Sequence, residues 1–150
     1  PLLIEIQALV TASSYGNPQR TAHGIGYKRL AMLIAVLEKR AGYQMGTQDV
    51  FVNIVGGMKI DETAINLSLV AAMASSFRDI SLPEDSAFIG EVGLVGEVRS
   101  VPFLKQRVKE AAKFGYKNIY VPSKNKNNLK LDDVRITGVN SIEHFFSLVF

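Results

Sequence analysis

Cysteine is absent from the 150 residues. Disulfides, thiolate metal sites and cysteine nucleophiles are therefore excluded. Histidine occurs only as His23 and His144, too few and too far apart in sequence to suggest a metal cluster, so both are expected to be structural or surface side chains. No apolar run approaches the roughly 18 residues of a membrane span. No charged leader precedes the first apolar stretch, which starts straight after Pro1, so nothing reads as a secretory signal. A cytoplasmic domain cut from a larger protein is expected. The phosphate-cradling pattern G-x-x-x-x-G-K-S/T is missing, as are the G-x-S-x-G elbow and H-E-x-x-H. The pair Gly56-Gly57 follows an apolar run, but Asp61 opens the next helix. A carboxylate there would repel phosphate, so the pair reads as a tight turn.

What is present is ordinary for a globular protein: 47% apolar and 21% charged residues, with a net charge of +3. One domain spanning 1–150 is expected from the length. The charge is compatible with nucleic acid and does not require it.

Leu2 to Val10 alternates enough to read as a strand with a partly polar face. Thr11 to Gly26 is a long polar loop, with room for a short strand near His23. Tyr27 to Arg40 carries Leu30, Ile34 and Leu37 at helical spacing, and Gly42 ends that helix. Asp49 to Val55 is a strand. Asp61 is a suitable N-cap for a helix running to about Phe77, apolar nearly all round and hence buried. Ser86 to Gly90 is a short strand, and Gly93 and Gly96 bracket a tight turn. A third helix begins at Ser100 or Val101 with Pro102 in its first turn, and Gly115 caps its end. Ile119 to Val121 and Val134 to Val139 are strands, separated by the Asn-rich loop SKNKNNLK. Ser141 caps a last helix whose Ile142, Phe145, Phe146 and Val149 face inward. The mixture predicts an α+β (mixed α/β) fold with a mixed sheet.

Four stretches carry a family resemblance: LLIEIQALV; NPQRTAHGIGYKRLAMLIAVLEKRAG; DVFVNIVGGMKIDETAINLSLVAAMASS; and GEVGLVGEVRSVPFLKQRVKEAAKFGYKNIYVP. Together they resemble the C-terminal Lon-protease-like domain of the RadA (Sms) family of bacterial DNA repair proteins. The resemblance implies the Lon protease domain fold, related to ribosomal protein S5 domain 2. It also implies a parent with a zinc-binding motif and a RecA-like ATPase, neither of which lies in this chain. Zinc, ATP and magnesium would belong to those parts, and no cofactor is expected in this domain.

Lon uses a serine activated by a lysine of lowered pKa. Its serine lies in a segment resembling P-K-D-G-P-S-A-G. Here the matching stretch is Met58 to Asn66, and aligning Asp61 with the aspartate puts Ala64 at the serine. A methyl group cannot attack a carbonyl. Lon's lysine lies in a segment resembling G-x-V-L-P-I-G-G-L-K-E-K. Gly96, Val98, Leu104 and Lys105 match its spacing, so the resemblance gives Lys105 the lysine position. Thr63 is turned about 100° from Ala64 on a helix, and Ser68 lies about 6 Å further along it. Neither restores the dyad, so Ala64 and Lys105 are read as vestigial positions and the domain as non-catalytic.

The cations are unevenly spread. Lys105 to Lys130 holds eight basic residues and one acidic residue, Glu110, which leaves the remainder net acidic. A smaller set surrounds the lost site: Arg20 in the long loop, Lys28 and Arg29 at a helix start, and Lys59 just before the Ala64 segment. Cations are disfavoured at a helix N-terminus unless an anion answers them, and a phosphate backbone would do so. Arg20, Arg29 and Lys59 are the expected DNA contacts, with Lys28 and Lys105 secondary. The resemblance further implies a homo-hexameric ring, DNA as partner, branch migration in recombinational repair, and a RecA-type recombinase reached through the parent. No membrane partner is expected. Two alternatives stand beside this: a pure oligomerisation scaffold using Phe145, Phe146 and Phe150, and a residual Ser/Lys peptidase.

Overall fold

The computed structural model describes residues 3–14, 16–57 and 59–150. The start of the first strand at Leu2 and the Met58 end of the Lon-like segment lie outside them.

The chain runs β1 (Ile6–Ala12), β2 (Arg20–His23), α1 (Tyr27–Ala41), β3 (Gln48–Ile54), a 3-10 turn (Thr63–Ile65) and α2 (Asn66–Arg78). It continues through β4 (Ser86–Phe88), β5 (Glu91–Val92), β6 (Val98–Arg99) and α3 (Leu104–Lys113). The end is β7 (Asn118–Pro122), α4 (Ser123–Lys126), β8 (Arg135–Val139) and α5 (Ile142–Val149). The mixed α+β class read from the sequence is correct.

The strands form two three-stranded sheets and a hairpin. In the first sheet, ordered β1-β3-β2, β1 is antiparallel to β3 and β2 parallel to it. The second sheet, β4-β7-β8, is wholly parallel. Its central strand β7 is apolar on both faces, as burial on both sides requires. Ile119 and Val121 join α3 residues Leu104 and Val108 in one core cluster. Tyr120 turns the other way, into the larger cluster with Phe145. There Phe145 meets Phe88 and Tyr120 edge-on, at ring-centroid distances of 5.4 and 5.6 Å.

Helix α2 is buried as expected, with Leu67, Leu69, Val70, Ala71, Met73 and Ala74 all in the core. Its start differs from expectation. Asp61 does not cap it: the chain is still extended at Glu62, turns through the 3-10 segment, and enters α2 at Asn66. The neighbouring strand takes over the work of a cap. The Leu67 N–H donates to the Gly90 carbonyl at 3.0 Å, and the Gly90 N–H donates to the Ala64 carbonyl at 2.9 Å. Gly90 is needed for this approach, because a Cβ there would stand 2.9 Å from Val98 Cγ1.

Helix α3 also starts later than expected, at Leu104. Pro102 disfavours helical geometry at Val101, and Phe103 takes a left-handed conformation (φ 59°) before the helix begins. The Asn-rich loop contains the short helix α4, which links β7 to its parallel neighbour β8. The glycine turn between β5 and β6 closes as expected, with the Gly93 N–H on the Glu97 carbonyl. Ser141 caps α5 as expected, accepting from the His144 N–H at 3.0 Å.

Candidate functional site

Ala64 lies in the 3-10 turn and is 5% exposed, packed in the smaller core cluster. It lines a cavity of about 220 Å3 together with Ser68, Ala72, Phe88, Arg107 and Glu110. Ser68 does not supply the missing nucleophile, because its hydroxyl donates to the Phe88 carbonyl at 2.7 Å. The Thr63 hydroxyl donates to Glu91, which also pairs with Arg99 at 3.5 Å.

The cation beside Ala64 is Arg107. Lys105 is exposed on α3 and is not part of the cavity wall. Arg107 donates through Nε to the Pro102 carbonyl at 2.8 Å and through Nη2 to the Glu62 carboxylate. Its side chain is only 14% exposed. Sequence reasoning passes over Arg107, although a signal exists: the closing lysine of G-L-K-E-K falls on it. A guanidinium stays protonated in a protein and cannot serve as a general base. The cavity wall thus carries both the Ala64 methyl and the Arg107 guanidinium.

The Ile60 N–H donates to the Gly24 carbonyl at 2.7 Å. That bond docks the 59–62 segment against the turn between β2 and α1, and brings Lys28, Arg29 and Lys59 to one seam. Arg29 is engaged there, with Nη1 donating to the Glu62 carbonyl at 2.9 Å. Burial pulls its pKa below the ordinary value, and the charge of Asp61 pulls it back up. Asp61, expected as a cap, is thus the counter-charge of Arg29. Lys28 and Lys59 are exposed, and neither is ion-paired among the described residues.

Arg20 lies apart from this seam. It begins β2, and the seam lies beyond its far end at His23, about 10 Å away at the rise of a strand. Its guanidinium donates to the carbonyls of Gln19, Gln48 and Met45. These bonds tie the edge strand β2 to the turn before β3, which is structural work. His23 is exposed on the same strand, while His144 Nδ1 accepts from the Asn140 N–H at 3.3 Å. Among the described residues no group of three or more metal-ligating side chains converges. Among the described residues no helix is long and apolar enough to cross a membrane.

The family model of the Lon protease (S16) C-terminal proteolytic domain matches residues 37–145. DNA repair protein RadA of Listeria monocytogenes is 46% identical over 143 residues, 95% of this chain and 31% of that protein. The RadA of Haemophilus influenzae is 49% identical over 142 residues, again 95% and 31%. That of Escherichia coli is 48% identical over 148 residues, 99% of this chain and 32% of its own length. The chain thus spans about a third of the length of these relatives.

Proposed function

We propose, for a chain that belongs to the Lon protease (S16) C-terminal proteolytic domain family and resembles that domain of DNA repair protein RadA, that it is a non-catalytic module binding DNA without sequence preference within a homo-hexameric ring. Its partners in this reading are DNA and further copies of itself, and it needs no cofactor of its own. The ring would carry a RecA-like ATPase through branch migration in recombinational repair, with a RecA-type recombinase met through the parent. Zinc, ATP and magnesium would serve that parent outside these residues. The setting is the cytoplasm.

The observation that carries the reading is the seam. Lys28 and Lys59 are exposed cations without an acidic partner among the described residues, held together by the Ile60–Gly24 bond. Arg29 gives one donor to the Glu62 carbonyl and Arg20 gives part of its guanidinium to main-chain carbonyls, so both rank behind the two lysines in this reading. Lys105 lies on a second exposed stretch with Lys109 and Lys113.

The test is fluorescence anisotropy of a duplex oligonucleotide titrated at several salt concentrations. Each phosphate contact contributes about 0.9 to the slope of log K against log salt. Lys28→Ala with Lys59→Ala should weaken binding and lower that slope by about 2 per binding subunit. Unchanged affinity and slope would refute the assignment. The scaffold reading loses Phe145 and Phe146, which are buried in the core, and is favoured instead by one feature: the tip of the β5–β6 hairpin exposes Leu94 at 71% and Val95 at 58%. A hexamer by light scattering with no oligonucleotide binding would select it.

A further inference from the structure

The β5–β6 hairpin ends on an apolar tip held in one shape. Its turn runs Gly93-Leu94-Val95-Gly96, closed by the Gly96 N–H on the Gly93 carbonyl at 3.0 Å. The Glu97 carboxylate folds over the tip and accepts from the Val95 N–H at 3.3 Å. Glycine at 93 leaves room for it, because a Cβ there would collide with that carboxylate. The centre of a hairpin turn is ordinarily glycine, asparagine or aspartate, yet Leu94 and Val95 stand there side by side in solvent. Single exposed aliphatic residues need no account. A fixed pair at a tip is a knob with little left to order on binding. Glu97 and the exposed Glu143, whose carboxylate lies beside Gly96, flank it with negative charge, and Arg40 lies beside Gly96 as well.

A groove suited to such a knob lies at the other end of the parallel sheet. Its volume is about 450 Å3, against roughly 150 Å3 for a void that holds benzene. Ala112, Tyr116, Leu131 and Val134 give it an apolar lining. Lys109, Lys113 and Lys117 stand along it, none of them ion-paired among the described residues, and Asp132 and Asp133 line it too. Strands β4, β7 and β8 run parallel, with Ser86, Asn118 and Arg135 in register. Residues 115–117 and 131–134 of the groove immediately precede β7 and β8, so the groove lies at the amino end of that sheet. The hairpin follows β4 and is fastened beyond the carboxyl end of β8. There the Val98 N–H donates to the Asn140 carbonyl at 2.9 Å, and the Ile142 N–H donates to the Gly96 carbonyl at 2.8 Å. The five residues of β8 lie between the two features, about 16 Å at the rise of a strand.

We propose that the chain associates head to tail: the Leu94–Val95 knob of one copy seats in the groove of the next, between α3 and the 131–134 turn. A second copy is the occupant that the charges favour. The acidic flank of the knob, Glu97 and Glu143, answers the three unpaired lysines, and Arg40 answers Asp132 and Asp133. A phosphate backbone in the same groove would be repelled by those two aspartates. Knob and groove are different surfaces at opposite ends of one sheet, so each pairing leaves one of each still open. Such a contact repeats until its rotation closes a ring, or runs on as a filament. Closure into a ring rests on the proposed function above, whereas the contact itself needs only the two surfaces.

Sedimentation velocity of the 150-residue chain is the test. The unaltered chain should self-associate as its concentration rises. Leu94→Asp with Val95→Asp removes the knob, and Lys109→Glu with Lys113→Glu spoils the groove. All four side chains are exposed, so folding is spared. Each double variant should associate at least about tenfold more weakly. Mixed in equal amounts, the two should form a 1:1 dimer and stop there, because one sound knob meets one sound groove and the remaining faces are spoiled. The chain with Lys28→Ala and Lys59→Ala should associate as the unaltered chain does, which separates failure of this contact from failure of the nucleic-acid reading. The absence of cysteine gives a second readout. Leu94→Cys mixed with Leu131→Cys under oxidised glutathione should yield the mixed disulfide in excess over both homodimers. A monomeric unaltered chain with only statistical disulfides, or mixed double variants that stay monomeric, overturns the proposal. A hexamer that survives in both double variants overturns it too, and leaves the ring reading standing.

Discussion

On the proposed non-catalytic reading, Ala64 supplies no nucleophile and the Arg107 guanidinium in the same cavity wall supplies no base. Restoring the hydroxyl alone leaves the base missing. Ala64→Ser is expected to release no detectable fluorescence from a labelled unfolded protein, because Arg107 cannot accept the serine proton and Lys105 points elsewhere. Arg107 has instead become a structural bracket between the Pro102 carbonyl and Glu62. Removing it takes two hydrogen bonds from exposed acceptors that water can reach. Arg107→Ala should lower stability by about 0.5–1.5 kcal/mol in denaturant unfolding. Arg107→Lys should recover only part of that, since one ammonium cannot reproduce the forked donor geometry.

At the scale of elements, periodicity and end signals located nearly every helix and strand. Gly42, found left-handed at φ 73°, and Ser141 stop and start helices where expected. Ser141→Ala should therefore cost about 1 kcal/mol by thermal unfolding. The late start of α2 was not legible, because it depends on a contact distant in sequence: the Gly90 carbonyl takes the Leu67 N–H. Such a bond leaves no periodic trace. The late start of α3 is local, set by Pro102 and the left-handed Phe103. The candidate site divides the same way. Lys28 and Lys59 could be named from their neighbours in the chain, whereas the engagement of Arg20 with Met45 and Gln48 is visible only after β2 pairs with β3. Helix α4 is four residues long with no buried side chain, so it has no apolar pattern to find.

For the whole molecule, the parallel sheet divides the apolar interior in two, and Phe145 fills the larger part against Phe88 and Tyr120. Phe145 is fully buried. Phe145→Ala should cost about 3–5 kcal/mol, a large share of the roughly 5–15 kcal/mol that holds a domain folded. A fall in the denaturant midpoint with an unchanged slope would show that both clusters still unfold together. The paired bonds of Gly90 with Ala64 and Leu67 bear on the same cooperativity. They span the boundary between the clusters, and neither can open while the other half stays packed. In a deuterium pulse, the Leu67 and Gly90 amides should thus report the slowest opening of the chain, exchanging on the clock of global unfolding rather than of local breathing.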